Sequence, residues 1–159
     1  MFTSAKKRRK IRYSNFEEML EDAQRLTAAD AETVGNWTKG QIFEHLARAI
    51  DFTLDGFDDF RVPWFTRTVA SLFLKKWFMT RGLPAGFRLK NQDAQKLVPD
   101  AIETSAALHH LQQAVHRLRQ TSHRCPHPVF GSLTQAESDQ LQLRHTELHM
   151  SFIAEPTAS

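Results

Sequence analysis

The sequence predicts an all-α protein, a four-helix bundle with a long crossover between its second and third long helices that carries an extra short helix. Three observations carry this expectation. Four long segments repeat apolar residues at the helical period, little else reads as strand, and two of the four segments open on a capping box. At 159 residues, with 41% apolar and 25% charged side chains, the chain is expected to form a single domain, residues 1–159, around one sizeable core.

The first helix is expected from about Asn15 to Leu26, where Phe16, Met19, Leu20, Ala23 and Leu26 fall on one face. Ser14 or Asn15 can cap it, and Glu17 and Glu18 suit the positive end of the helix dipole. The second lies in "WTKGQIFEHLARAIDFTLDGF". Thr38 and Gln41 form its capping box, Trp37 can close on Ile42 as a hydrophobic staple, and Gly56 supplies a stop. Its stripe is Ile42, His45, Leu46, Ala49 and Thr53, so a histidine lies inside the apolar face. A shorter helix, apolar on most sides, is expected from about Pro63 to Met79, with "TRGLPAGF" ending it. The long connection allows the next helix to run parallel to the second.

The third long helix is expected from about Asp100 to Thr121, with a seam of Ala101, Thr104, Leu108, Leu111, Val115 and Leu118. His109, His110 and His116 fall off that seam, on a solvated or partly covered flank. After the loop "SHRCPHPVFGS", Thr134 and Glu137 cap a last helix that reaches about Ala154, where Pro156 stops it. Its inward stripe reads Leu141, His145, Leu148, His149 and Phe152.

Two helices thus each turn histidine inward. His145 and His149 are one turn apart, so their rings project side by side, and His45 completes a three-nitrogen set from a facing helix. A single histidine on an apolar stripe is usually a core residue bonded to a neighbour. Three unpartnered imidazoles would each cost about 1–3 kcal/mol, and a shared divalent ion gives them a common explanation. Three protein ligands leave a place for water or substrate. The spacing is not that of a zinc protease, because Glu147 stands in the middle of "HTELH" and is expected to face solvent. Glu44 adjoins His45 but is rotated about 100° from it. Gln41 and Gln142 are placed either to orient a ligand or to serve as ordinary helix-surface amides. His127 either covers the metal or simply belongs to a turn set by Pro126 and Pro128. Cys125 is read as incidental.

The stretch "NWTKGQIFEHLARAIDFTLDGF" resembles the second helix of DinB-like (YfiT-type) bundle proteins, with a tryptophan, a polar entry, a glutamine and a histidine four residues later. "HPVFGSLTQAESDQLQLRHTELHMSFI" is similar to the last helix of one uncharacterised bacterial branch of that superfamily. "RRKIRYSNFEEMLEDAQRL" and the apolar inserted helix also look like that branch. The resemblance implies a mononuclear nickel or zinc site on His45, His145 and His149. It also implies a metal-dependent enzyme; the alternative is a non-catalytic, stress-linked binding bundle with a structural or vestigial site. The enzyme would be a thiol S-transferase or a hydrolase of small electrophilic molecules, with a low-molecular-weight thiol as the further cofactor of the former. Many relatives carry another histidine where this chain has Leu148.

The formal charge of +3 is small, and much of the basic character sits in "KKRRK", Lys6 to Lys10. With no interleaved aromatics, this run is read as a solvated N-terminal arm (residues 1–12) and not as a nucleic-acid contact. The apolar segment around residues 63–79 is too short and too charged to span a bilayer, so no membrane is expected. Its Trp64, Phe65, Phe73, Trp77 and Phe78 are expected either to cap the pocket or to form a homodimer face. A single cysteine and no visible secretory signal lead to an expectation of a cytoplasmic protein with a small-molecule substrate.

Overall fold

The computed structural model describes residues 7–56, 74–82 and 97–156, and these are all-helical, with no strand beyond two isolated bridges. The helices are α1 (Phe16–Ala28), α2 (Lys39–Asp55), α3 (Lys75–Arg81), α4 (Thr104–Gln120) and α5 (Gln135–Met150). Their ends follow local chemistry. The Asn15 side chain accepts from the Glu18 amide, both capping boxes close in full, and α2 ends at Gly56 with φ at 87°, which favours glycine. Helix α3 runs to Arg81 and ends at Gly82, two residues past the expected stop at Met79. The rest of the expected crossover helix, Trp64, Phe65 and Phe73 included, lies outside the described residues. Helix α4 begins at Thr104, later than expected, which leaves Ala101 exposed ahead of it.

Side-chain partners give the helix directions. Glu44 meets His110, and Asp55 meets Arg117, so residue numbers rise together along α2 and α4. These two helices are parallel, as the long crossover allows. Gln142 of α5 reaches Ala49 and Thr53 while His145 meets His45, so α5 is antiparallel to α2. Arg119, near the end of α4, pairs with Glu17 at the start of α1, so those two are antiparallel as well. Phe43, Leu46, Ile50, Met19, Leu26, Leu111, Leu118, Met150 and Ile153 fill the centre, fully buried. Each contributes about 1.5–3 kcal/mol of transfer free energy. A smaller cluster of Phe78, Phe130 and Leu141 fastens α3 to the loop before α5.

In the described part of the basic run Lys7, Arg8 and Lys10 are exposed, but Arg8 and Arg9 are also held against the bundle. Arg8 donates to the Ser151 hydroxyl and lies over the Phe152 ring. Arg9, only 13% exposed, forks onto Asp22 and also donates to the Ile153 carbonyl. Residues 8–13 thus form a strap across the end of α5, and Tyr13 adds a hydroxyl bond to Asp22. The sequence hid this because charge alone cannot distinguish a guanidinium in water from one seated among carboxylates and helix-end carbonyls. No described helix is long and apolar enough to cross a membrane.

Candidate metal centre

Helices α2 and α5 bring His45, His145 and His149 together. One ligand atom from each lies within 4.8 Å of the others, and this group can hold a metal ion. The Nε2 atoms of His45 and His145 are 3.1 Å apart. Ring centroids are separated by 5.0 Å for that pair, 4.3 Å for His45 and His149, and 4.7 Å for His145 and His149. Nitrogens bound tetrahedrally to zinc at 2.0–2.1 Å would stand about 3.3 Å apart. One pair already has that spacing, and the third ring needs to move by no more than about 1.5 Å to reach it. Donor type and geometry therefore fit a small divalent cation.

The protonation states fit as well. His45 Nδ1 lies 2.7 Å from the Leu97 carbonyl, an acceptor only, so Nδ1 carries the proton and Nε2 presents a bare lone pair to the cluster. Burial, the largest influence, lowers the pKa of all three imidazoles. The Leu97 bond opposes this at His45 without reversing it. At His145 the neighbouring histidines His149, His45 and His127 add to burial and hold the ring well below its usual range. At His149, burial, then His45 and Arg8, bring it to about 3. Neutral imidazole is the form that ligates metal. His45 is buried, whereas His145 and His149 keep partial exposure.

The surrounding residues take roles that the sequence only partly suggested. Gln41 accepts from the Thr38 amide and donates to the Pro99 carbonyl at 3.0 Å, so it caps α2 and ties down the end of the crossover. Gln142 donates to Ala49 and Thr53 on α2. His127 takes amide protons from Val129 and Phe130 on Nδ1 and stacks on Phe130, within electrostatic reach of His145. Glu44 holds Arg48 and His110 and makes no hydrogen bond to His45, His145 or His149 among the described residues.

Glu147 corrects the sequence reading. It is 7% exposed, not solvated, and accepts from Arg144, Arg12 and the Tyr13 amide. Its face of α5 does point away from the histidines, but the 8–13 strap covers that face. Leu148 and Phe152, placed on the inward stripe, are half-buried.

Two participants were not assigned to the site from the sequence. The Leu97 carbonyl is backbone and carries no residue-type signal. Trp37, read as a staple, stacks on His149 with centroids 5.6 Å apart and planes at 12°, and tilts against His45 at 5.0 Å. Its position just before the α2 cap was the available clue.

No curated protein and no solved structure matches the chain. The model of the family described as "Protein of unknown function (DUF1569)" matches residues 5–156, and the chain belongs to that family.

Proposed function

We propose that the chain is a metal-dependent enzyme of the DinB-like kind, with nickel or zinc held by His45, His145 and His149, acting on a small electrophilic molecule. The observation that carries this reading is the convergence of three neutral imidazoles, from two antiparallel helices, within 4.8 Å. A bound divalent ion supplies Lewis acidity and lowers the pKa of a thiol or water in its remaining position. The chain's own residues hold the ligands in place: Leu97 fixes the His45 tautomer, and the apolar core behind α2 keeps water from that side of the site.

Thiol transfer and hydrolysis both fit this reading, since the ion activates either nucleophile. The two carboxylates next to the histidines in sequence, Glu44 and Glu147, are both committed to ion pairs facing elsewhere. Neither is placed as a general base at the metal, and neither reaction requires one, because the ion lowers the pKa of a bound thiol and of bound water alike.

The test is metal content followed by activity. Protein purified without a histidine tag should take up about one equivalent of Ni2+ or Zn2+ per chain, and His45→Ala, His145→Ala and His149→Ala should each lose it. The loaded protein should then accelerate loss of a thiol in the presence of an electrophile. Wild-type protein that binds neither ion at micromolar concentration would end the metal reading. Tight binding with no thiol or hydrolytic turnover would place the chain among non-catalytic bundles with a structural ion.

A further inference from the structure

The three histidines are not restrained in the same way. His45 is fixed by its Nδ1 bond to the Leu97 carbonyl, and His145 by its contact with His45 Nε2. Among the described residues neither ring nitrogen of His149 has a hydrogen-bond partner. Histidine χ2 is a broad torsion, so the α5 backbone alone does not choose the ring's plane. What lies on that plane is Trp37, whose indole is nearly parallel to it at 12° and 5.6 Å, while its other contact, 5.0 Å at 60°, is with His45. A half-buried tryptophan from the entry to α2 therefore touches a ligand on each helix, and it packs on the main core as well.

We infer that Trp37 is a positioning residue for the metal centre, its flat face setting the His149 ring in the orientation that a hydrogen bond sets for His45. The inference rests on the metal reading above. Ligand-orienting partners commonly change metal affinity by 10- to 100-fold, and an offset stack can serve where no polar acceptor is in reach.

The experiment compares Trp37→Phe and Trp37→Leu with wild type, using Zn2+ alone as the probe in competition with a chromophoric chelator. Thermal unfolding of each metal-free protein runs in parallel. Phenylalanine keeps a flat ring and should hold zinc within about threefold of wild type. Leucine keeps apolar bulk without a face. It should unfold close to the phenylalanine variant yet bind zinc about tenfold more weakly or worse. A general packing role would move unfolding and affinity together; the proposed role separates them. Leucine binding zinc as wild type does, or phenylalanine losing as much as leucine, would overturn the role of Trp37 and leave the metal reading standing. A wild-type protein that takes up no zinc, with His145→Ala no different, removes the metal reading itself and this inference with it.

Discussion

His45 Nε2 and His145 Nε2 lie 3.1 Å apart across 100 positions of sequence. The contact depends on α5 returning antiparallel to α2, and on the crossover that first carries the chain back to the start of the bundle. The same crossover delivers the Leu97 carbonyl to the other side of the His45 ring. One imidazole is thus gripped between a backbone acceptor and a partner on the far helix, which leaves its tautomer little choice.

Removing the Glu147 carboxylate should destabilise the fold. The side chains of Glu147 and Arg144 are each 8% exposed, and Arg144 Nε is already buried without a partner. Burial lowers the Arg144 pKa, with Glu147 opposing it, but a guanidinium does not give up its charge at neutral pH. Glu147→Ala should therefore cost about 3–5 kcal/mol in urea unfolding, because an uncompensated charge remains inside. A loss within about 0.5 kcal/mol, usual for a solvated helix position, would show that the strap does not cover this face.

What the sequence disclosed and what it hid divide along a physical line. Capping boxes are local, and both were legible because Thr38, Gln41, Thr134 and Glu137 act within one turn. The three histidines were legible because helical spacing fixes which residues share a face. Glu147 and Arg9 were misread for a common reason. Helix α5 is covered on one side by α2 and on the other by residues 8–13, so it lacks the polar face by which a surface helix is recognised. A charged residue satisfied at long range carries no local mark.

His110 should make the protein more stable in mild acid than its replacement. Burial works to lower its pKa, but the carboxylates of Glu44 and Asp51, one on each ring nitrogen, outweigh burial and raise it. Arg48 and Arg117 flank those carboxylates. A raised folded pKa means that the stabilisation is fully present below the unfolded value of about 6.5 and is lost as pH rises through the folded value. His110→Gln should thus be more destabilised at pH 6 than at pH 8.5. The side chain is 35% exposed, so solvent screening should hold the difference to about 1 kcal/mol or less. Chemical denaturation at the two pH values measures it, and an equal effect at both would mean that folding does not raise the His110 pKa.

Arg9 should behave as a core residue despite its basic surroundings. Its guanidinium joins Asp22 on α1 to the Ile153 and Met150 carbonyls beyond and within α5. The Asp22 pKa is lowered: burial would raise it, but bonds from Arg9, Tyr13 and Arg25 outweigh that. Arg9→Ala leaves a half-buried carboxylate and a helix-end carbonyl short of a donor, which should cost about 2–3 kcal/mol. Lys10→Ala, an exposed neighbour in the same run, should cost almost nothing. Equal, small effects in thermal unfolding would restore the solvated-arm reading.

Gly40→Ala should weaken both the fold and the site, against its helix propensity. Alanine inside a helix is favoured over glycine by about 1 kcal/mol. Here, however, an added Cβ would stand 2.1 Å from the Ile102 carbonyl oxygen, a backbone atom with no rotamer to escape into. One of the two segments must shift, and against backbone this close the cost of overpacking falls at the upper end of its usual range, about 2–3 kcal/mol, enough to reverse the propensity gain. The shift has a direction that matters. Ile102 lies just beyond Pro99, which Gln41 holds, and Leu97, which holds His45. Pushing the chain outward at 102 loosens the carbonyl that sets the His45 tautomer. Urea unfolding of Gly40→Ala should show a net loss of about 1–2 kcal/mol, and zinc titration should show weaker uptake than wild type. A variant as stable as wild type would mean that α2 and the entry to α4 are not in such close contact. A destabilised variant with unaltered zinc affinity would mean that the crossover end and the His45 imidazole it touches move independently.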